Sequence, residues 1–178
     1  MHPHIHLALD EGYYNQRLEM QKGYYLSPIS RKDKQAYQLH YLDPTIAQNF
    51  VTMPYPYPDE RIERWIEKRE EDARNPETYF AIRRRDGFLI GGIGCIEFIE
   101  TNHILDFGFW LAKDYRGLSI MPVAIQTYLK HIYTEYPSIL RTQARMAAHN
   151  QAACQALLKA GCIEEGSLRN YFLKLNIW

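Results

Sequence analysis

A chain of 178 residues with 46% hydrophobic residues can bury one substantial core and is too short to make two domains the expectation. Lysine plus arginine equals aspartate plus glutamate, at 21 each, so no global field draws the protein to nucleic acid or to an anionic membrane, and neither is expected as a partner. No run approaches the roughly 18 apolar residues of a membrane span. The first 23 residues lack a secretory apolar segment, and three cysteines without a CxxC pair (Cys95, Cys154, Cys162) suit a reducing compartment, the cytoplasm with the nucleus also open.

The N-terminus places His2, His4 and His6 at alternate positions. Alternate histidines can chelate a metal, but no carboxylate or cysteine cluster completes a closed site nearby, so a flexible tail is expected and no metal. Residues 1–23 are read as an N-terminal extension, partly flexible, and 24–178 as one domain. Gly23 turns the chain, YYLSPI (24–29) reads as a first strand, and Ser30 caps a helix running to about Leu42. Asp43-Pro44 breaks that helix. The segment MPYPYP (53–58) follows, and its repeated X-Pro bonds force a stiff, extended loop from which Tyr55 and Tyr57 project. Asp59 then caps an amphipathic helix with Ile62, Trp65 and Ile66 on one face and charges on the other, ended by Asn75-Pro76.

From Thr78 to Leu111 the pattern is a strand meander, with turns at Asp86-Gly87 and near Thr101-Asn102. Gly91, Gly92 and Gly94 do not meet GxGxxG and no helix follows them, so they mark a bulge or a close backbone approach rather than a dinucleotide loop. The stretch ILDFGFWLAKDYRGLSIM (104–121) runs from strand to glycine-containing loop, and a helix starts near Pro122. Such a junction leaves backbone N–H groups unpaired at the positive end of a helix dipole, where a phosphate or pyrophosphate can sit. Leu140–Met146 reads as a further strand, Asn150–Ala160 as a helix ended by Gly161, and Tyr171–Trp178 as a final strand.

The segment Arg116-Gly117-Leu118-Ser119-Ile120-Met121 resembles the acyl-CoA pyrophosphate loop of the GNAT N-acetyltransferases, Gln/Arg-x-x-Gly-x-Gly/Ala. Ser119 stands at the second glycine and Met121 at the final small position. With MPYPYP, Trp65, LIGGIG (89–94), DFGFWL (106–111) and Asn150–Gly161, the chain resembles the ribosomal-protein-alanine N-acetyltransferase-like branch from about Tyr24 to about Tyr171. The resemblance implies an α/β (α+β) GNAT fold: a mixed, mostly antiparallel sheet of about six to seven strands, helices on both faces, and a splayed fourth and fifth strand pair. It implies acetyl-CoA as co-substrate, held by main-chain atoms of Phe109, Trp110 and Leu111, by the loop 116–121, and by Asn150, whose bland role is a helix N-cap. A bulge near Gly108 would splay the strands. Leu157 occupies a cofactor-side position where many GNAT enzymes carry a tyrosine that protonates the leaving thiolate. Tyr55, Tyr57 and Trp65 would line the acceptor side, or else the tyrosines pack on the core rim.

Amines are protonated near neutral pH, with reference pKa values of about 8 for an α-amino group and about 10.4 for lysine, so attack on a thioester needs a proton acceptor. Asp106 aligns with the glutamate that opens the corresponding strand of the branch, and a carboxylate in an apolar strand needs an explanation. The bland explanation is a strand-end carboxylate satisfied by Asn102 or His103, and His103 is itself the second base candidate. The function implied is acetyl transfer to a primary amine, a protein N-terminus or a small molecule, by direct attack in a ternary complex. The alternative is a non-catalytic acyl-CoA-binding module. A cysteine nucleophile has no supporting pattern. The acceptor amine and the oligomeric state, a homodimer included, are left open.

Overall fold

In a computed structural model, residues 16–71 and 79–171 are described. The sheet contains β1 (Leu18–Glu19), β2 (Tyr24–Pro28), β3 (Tyr79–Arg84), β4 (Leu89–Ile99), β5 (Ile104–Leu111) and β6 (Arg141–Gln143), in that spatial order. The helices are α1 (Lys34–His40), α2 (Pro44–Gln48), α3 (Asp59–Glu71), α4 (Ile120–Glu135) and α5 (Gln151–Ala160). Neighbouring strands from β1 to β5 are antiparallel, and β6 joins β5 in parallel after the α4 crossover. The fold is the mixed, mostly antiparallel GNAT arrangement with helices on both faces. No helix among the described residues is long and apolar enough to cross a membrane.

Alternation along β5 explains the two layers. Leu105, Phe107 and Leu111 join Leu26, Phe80, Ile93, Ile125, Tyr128 and Ile132 in one core, under α4 and α5. Trp110 turns the other way, to Tyr37 of α1 and Ile62 and Ile66 of α3. A strand puts successive side chains on opposite faces, so Asp106 and Gly108 share the Trp110 face. Burying a residue such as Ile62 or Ile66 contributes about 1.5–3 kcal/mol, which fastens α3 to the sheet while its charged face stays in water.

Several boundaries differ from the sequence reading. Residues 18–23, assigned to the extension, contribute β1, and Met20 is buried in the core. Ser30 opens a 3₁₀ turn, Arg31–Asp33, with its N–H donating to Asp33 Oδ2 at 2.9 Å, and α1 ends at His40 rather than Leu42. Pro44 breaks one helix but also starts α2, because proline suits a first helical position and Asp43 accepts from Thr45 N at 2.9 Å. Asp59 lies inside α3, whose first turn closes on the carbonyl of Pro58. The strand expected over Leu140–Met146 is only Arg141–Gln143. The alternate histidines, the Asn75-Pro76 stop and residues 172–178 of the final strand lie outside the described residues.

The bulge is on β4, not at Gly108 of β5. Cys95 pairs with Phe107 and Glu97 with Asp106, so Ile96 is the extra residue. Gly108 makes room for it, since a Cβ there would come within 2.3 Å of Ile96 Cδ1. Gly91 and Gly92 mark the close approach expected: an added Cβ would meet the Trp110 carbonyl oxygen at 2.6 Å and Trp110 Nε1 at 2.8 Å respectively.

Candidate functional site

β6 accompanies β5 only from Ile104↔Arg141 to Asp106↔Gln143, where β6 ends, so the second half of β5 has no strand on that side among the described residues and a gap opens there. On the other side, Ala112 N–H donates to the Ile90 carbonyl at 2.8 Å. Main-chain direction alternates, so Trp110 and Gly108 turn their N–H and C=O groups to β4, while Phe109 and Leu111 turn theirs toward the gap. Of the three residues expected to offer main-chain atoms, Phe109 and Leu111 face the opening and Trp110 does not. The Leu111 carbonyl is already taken by Arg116 Nε at 2.9 Å. The Phe109 N–H and C=O and the Leu111 N–H remain as an unpaired edge inside the sheet, which fits an extended, amide-bearing ligand.

The loop beyond β5 is held by Arg116. Its guanidinium reaches Thr45 Oγ1 at 2.8 Å and Asp43 Oδ2 at 3.2 Å, and its own N–H donates to Lys113 O at 3.2 Å. The Arg116 side chain therefore fastens the loop to α2 and to the end of β5. Gly117, at φ 78°, and Ser119, at φ 59°, are both left-handed, and this backbone path brings the helix start forward to Ile120, two residues before Pro122. A left-handed serine costs on the order of 1–3 kcal/mol, strain that clusters at ligand clamps. Ile120 and Met121 are buried in the core, so what they can offer a ligand is main chain. Among the described residues, no turn hydrogen bond uses the N–H of Gly117, Leu118, Ser119, Ile120 or Met121. This cluster of donors, at the start of a sixteen-residue helix, fits a diphosphate group. Leu118, Ser119 and Ile120 also wall a hollow with Met20 and Lys22, from the segment read as an extension, and with Tyr24 of β2.

On the other flank of the gap, Asn150 caps α5, its Oδ1 accepting from Ala153 N at 3.2 Å. Leu157 is buried in the main core and its carbonyl accepts from Cys162 N at 3.0 Å. It offers no proton donor.

Asp106 is 1% exposed and stands where β5 and β6 begin to part. Oδ2 is ion-paired to Arg145, and neither oxygen is met by a protein donor in full hydrogen-bonding geometry. Burial raises its pKa above the ordinary carboxylate value, against the pull of Arg145 and Gln143. Arg145 was missed in the sequence, because nothing in RTQARMAAHN marks one arginine as the partner of a residue 39 positions earlier. Neither Asn102 nor His103 appears as a partner of Asp106. His103, the second base candidate, is an exposed residue at φ 55°, three residues or about 10 Å along the strand from Asp106. Its carbonyl instead accepts from Leu140 N at 3.0 Å and so anchors the approach to β6.

The Asp106 face continues into an aromatic cluster. Tyr37 packs against Trp65 at 5.0 Å and Trp110 at 5.6 Å between ring centroids, and Tyr41 against Tyr57 at 5.3 Å. Tyr57 and Trp65, both half-buried, thus meet Trp110 in one cluster. Tyr55 is 54% exposed and stands apart, its hydroxyl donating to the Leu42 carbonyl at 3.0 Å. Trp110 Nε1 and Tyr37 OH are buried without hydrogen-bond partners. No group of three or more His, Cys, Asp or Glu among the described residues is arranged to hold a metal ion.

The acetyltransferase (GNAT) domain family matches residues 24–163. No curated protein matches the chain by sequence. Solved structures share the fold. The microcin C7 self-immunity acetyltransferase MccE, in complex with acetyl-CoA and AMP, is 16% identical, with 88% of each chain covered and a TM-score of 0.77. RimL, a ribosomal L7/L12 alpha-N-protein acetyltransferase, is 16% identical over 89% of this chain and 87% of its own, TM-score 0.75. Spermidine N-acetyltransferase from Vibrio cholerae, in complex with CoA and spermine, is 21% identical over 86% of this chain and 89% of its own, TM-score 0.74.

Proposed function

The chain belongs to the GNAT acetyltransferase family, and from that premise we propose that it moves acetyl from acetyl-CoA to a primary amine by direct attack in a ternary complex. The observation that carries this reading is Asp106, a buried carboxylate without a donor in full hydrogen-bonding geometry, at the point where the β5–β6 pairing ends. The loop N–H groups at 117–121 would hold the diphosphate of the co-substrate, and the Phe109 and Leu111 edge its amide-bearing arm. When bound, the thioester supplies the acetyl group. Asp106 takes a proton from the acceptor ammonium, directly or through one water, which frees the nitrogen lone pair to attack the thioester carbon; the C–S bond then breaks, and CoA leaves as a thiolate that takes up the second proton shed by the nitrogen, directly or through water. Holding both partners against β5 supplies the proximity that a bimolecular encounter lacks.

The acceptor is a protein N-terminus or a small-molecule amine. The structural neighbours span both kinds, since RimL is named for a ribosomal protein and the Vibrio cholerae enzyme for spermidine. Three cysteines without a CxxC pair support a reducing compartment, the cytoplasm with the nucleus also open, as its place of action.

A second reading, an acyl-CoA-binding module without turnover, draws on Leu157, which gives a departing thiolate no proton. Calorimetric titration with acetyl-CoA, followed by CoA release with a panel of amines, separates the two. Binding with amine-dependent release that is lost in Asp106→Asn establishes the enzyme. Binding with no release from any amine establishes the module, and no binding at millimolar acetyl-CoA defeats both.

A further inference from the structure

Asp106 is not alone at the parting of the strands. Arg145, two residues beyond β6, directs one guanidinium nitrogen to both Asp106 Oδ2 and Glu97 Oε2, the latter at 3.3 Å, and the other to Tyr171 OH at 2.7 Å. The three members differ sharply in exposure: side-chain accessibility is 2% for Asp106, 34% for Arg145 and 57% for Glu97. A carboxylate this deeply buried keeps its charge only with a cation beside it, and arginine supplies one that does not titrate. Yet the cation comes from an irregular segment and has a second carboxylate and a tyrosine to rest on.

We propose that Arg145 is a positioning residue that sets the protonation of Asp106, dividing its guanidinium between the buried carboxylate and Glu97 so that the acceptor ammonium takes its place at Asp106. The inference deepens the proposed reaction and rests on Asp106 being its proton acceptor. Other groups around Asp106 are accounted for. Gln143, its register partner on β6, is neutral: its side-chain oxygen accepts from Arg141, which is itself paired to Glu165, and its side chain also favours the charged form of Asp106. Gly108 and Trp110, on the same face of β5, carry no charge, and His103 is exposed at the far end of the strand. Arg145 and Glu97 are therefore the charged groups that act on Asp106, and Tyr171 bears on it through Arg145.

Removing Arg145 and removing Glu97 then have opposite consequences. Without the guanidinium, Asp106 holds its proton to higher pH. Without Glu97, Asp106 is the one carboxylate left on the guanidinium, a repelling charge is gone, and the proton leaves at lower pH. The experiment is a carbon-detected NMR titration of the Asp106 carboxyl, together with the pH profile of kcat/KM for an active amine. Relative to wild type, Arg145→Gln is expected to move both midpoints up by about one pH unit or more. Glu97→Gln moves both down, and Arg145→Lys falls between wild type and Arg145→Gln. Glu97 is largely in solvent, so Glu97→Gln keeps a folded protein available should Arg145→Gln not fold. Midpoints of Arg145→Gln or Glu97→Gln that coincide with wild type overturn the proposal, even where thermal stability drops. Opposite shifts in the carboxyl titration alongside full turnover in Asp106→Asn would defeat the base assignment, and with it the role given to Arg145 in the reaction.

Discussion

Two buried aspartates each face an arginine, and the two pairs are built to different ends. Asp33 receives both ends of the Arg83 fork, at 2.6 and 2.7 Å, and the Ser30 N–H at 2.9 Å. Arg83 spends its remaining donors on Ser27 Oγ at 2.7 Å and on the carbonyls of Gly87 and Pro28, each at 3.2 Å. Asp106 has one arginine, shared with Glu97, and no donor in full hydrogen-bonding geometry on either oxygen. The first pair is closed and ties α1 to β2 and β3. The second is incomplete, and an incompletely satisfied buried carboxylate is expensive unless a ligand finishes it. Satisfaction separates scaffold from site here better than burial does.

The contrast can be tested directly. Asp106→Asn should cost at least about two orders of magnitude in turnover, the usual worth of a general base, while the acetyl-CoA Kd from calorimetry stays at the wild-type value. Asp33→Asn should do the reverse, lowering unfolding free energy by about 3–5 kcal/mol in denaturant melts because it strands a buried guanidinium, with kcat per folded molecule unchanged. A third pair, Asp43–Arg116, lies at the surface and binds the loop to α2, so Arg116→Met should weaken acetyl-CoA by roughly three- to tenfold, about 1 kcal/mol, with little change in melting temperature. If Asp43→Asn leaves that affinity untouched while Arg116→Met weakens it, Arg116 acts on the phosphates itself rather than through α2.

The pH dependence gives the smallest and most diagnostic effect. Partial burial pushes Asp43 up, but hydrogen bonds from Thr45 and the Arg116 charge outweigh it and hold the carboxyl below its ordinary value. Its contribution to stability is thus present above the unfolded pKa and fades as pH falls through the lower folded value. Screening at the surface keeps it under about 1 kcal/mol. Asp106 has the opposite sign, since its folded pKa is raised. Its contribution is full below the unfolded pKa and lost as pH rises through the folded one. Melting temperatures across the acid range should accordingly flatten in opposite senses for Asp43→Asn and Asp106→Asn.

The sequence carried the elements whose causes are local. The meander from Tyr79 to Leu111 is legible because β-branched and aromatic residues alternate between turn residues, and Gly161, at φ 98°, ends α5 as expected. Asp106 stood out as a charge in an apolar strand. Its partner did not, because Arg145 meets it only through the parallel docking of β6, and the same holds for Arg83 and Asp33, fifty positions apart. The bulge at Ile96 was read one strand away, since Gly108 is the visible residue and Ile96 looks like any other strand residue. Two residues were too few for β1 to show alternation, and Pro44 was read only as a breaker although it equally well begins α2. Serine at 119 gave no hint of a left-handed backbone.

The gap between β5 and β6 also bears on how the protein keeps company with itself. An unpaired strand edge at the rim of a sheet invites another molecule to add a strand and so to aggregate. The free Phe109 groups and the Leu111 N–H lie instead in a short wedge closed at one end by the Asp106↔Gln143 pairing. A second sheet cannot enter that wedge without prying β6 away. A single thread can, so a hungry edge is tolerated because its shape admits a guest one strand wide and excludes a stack.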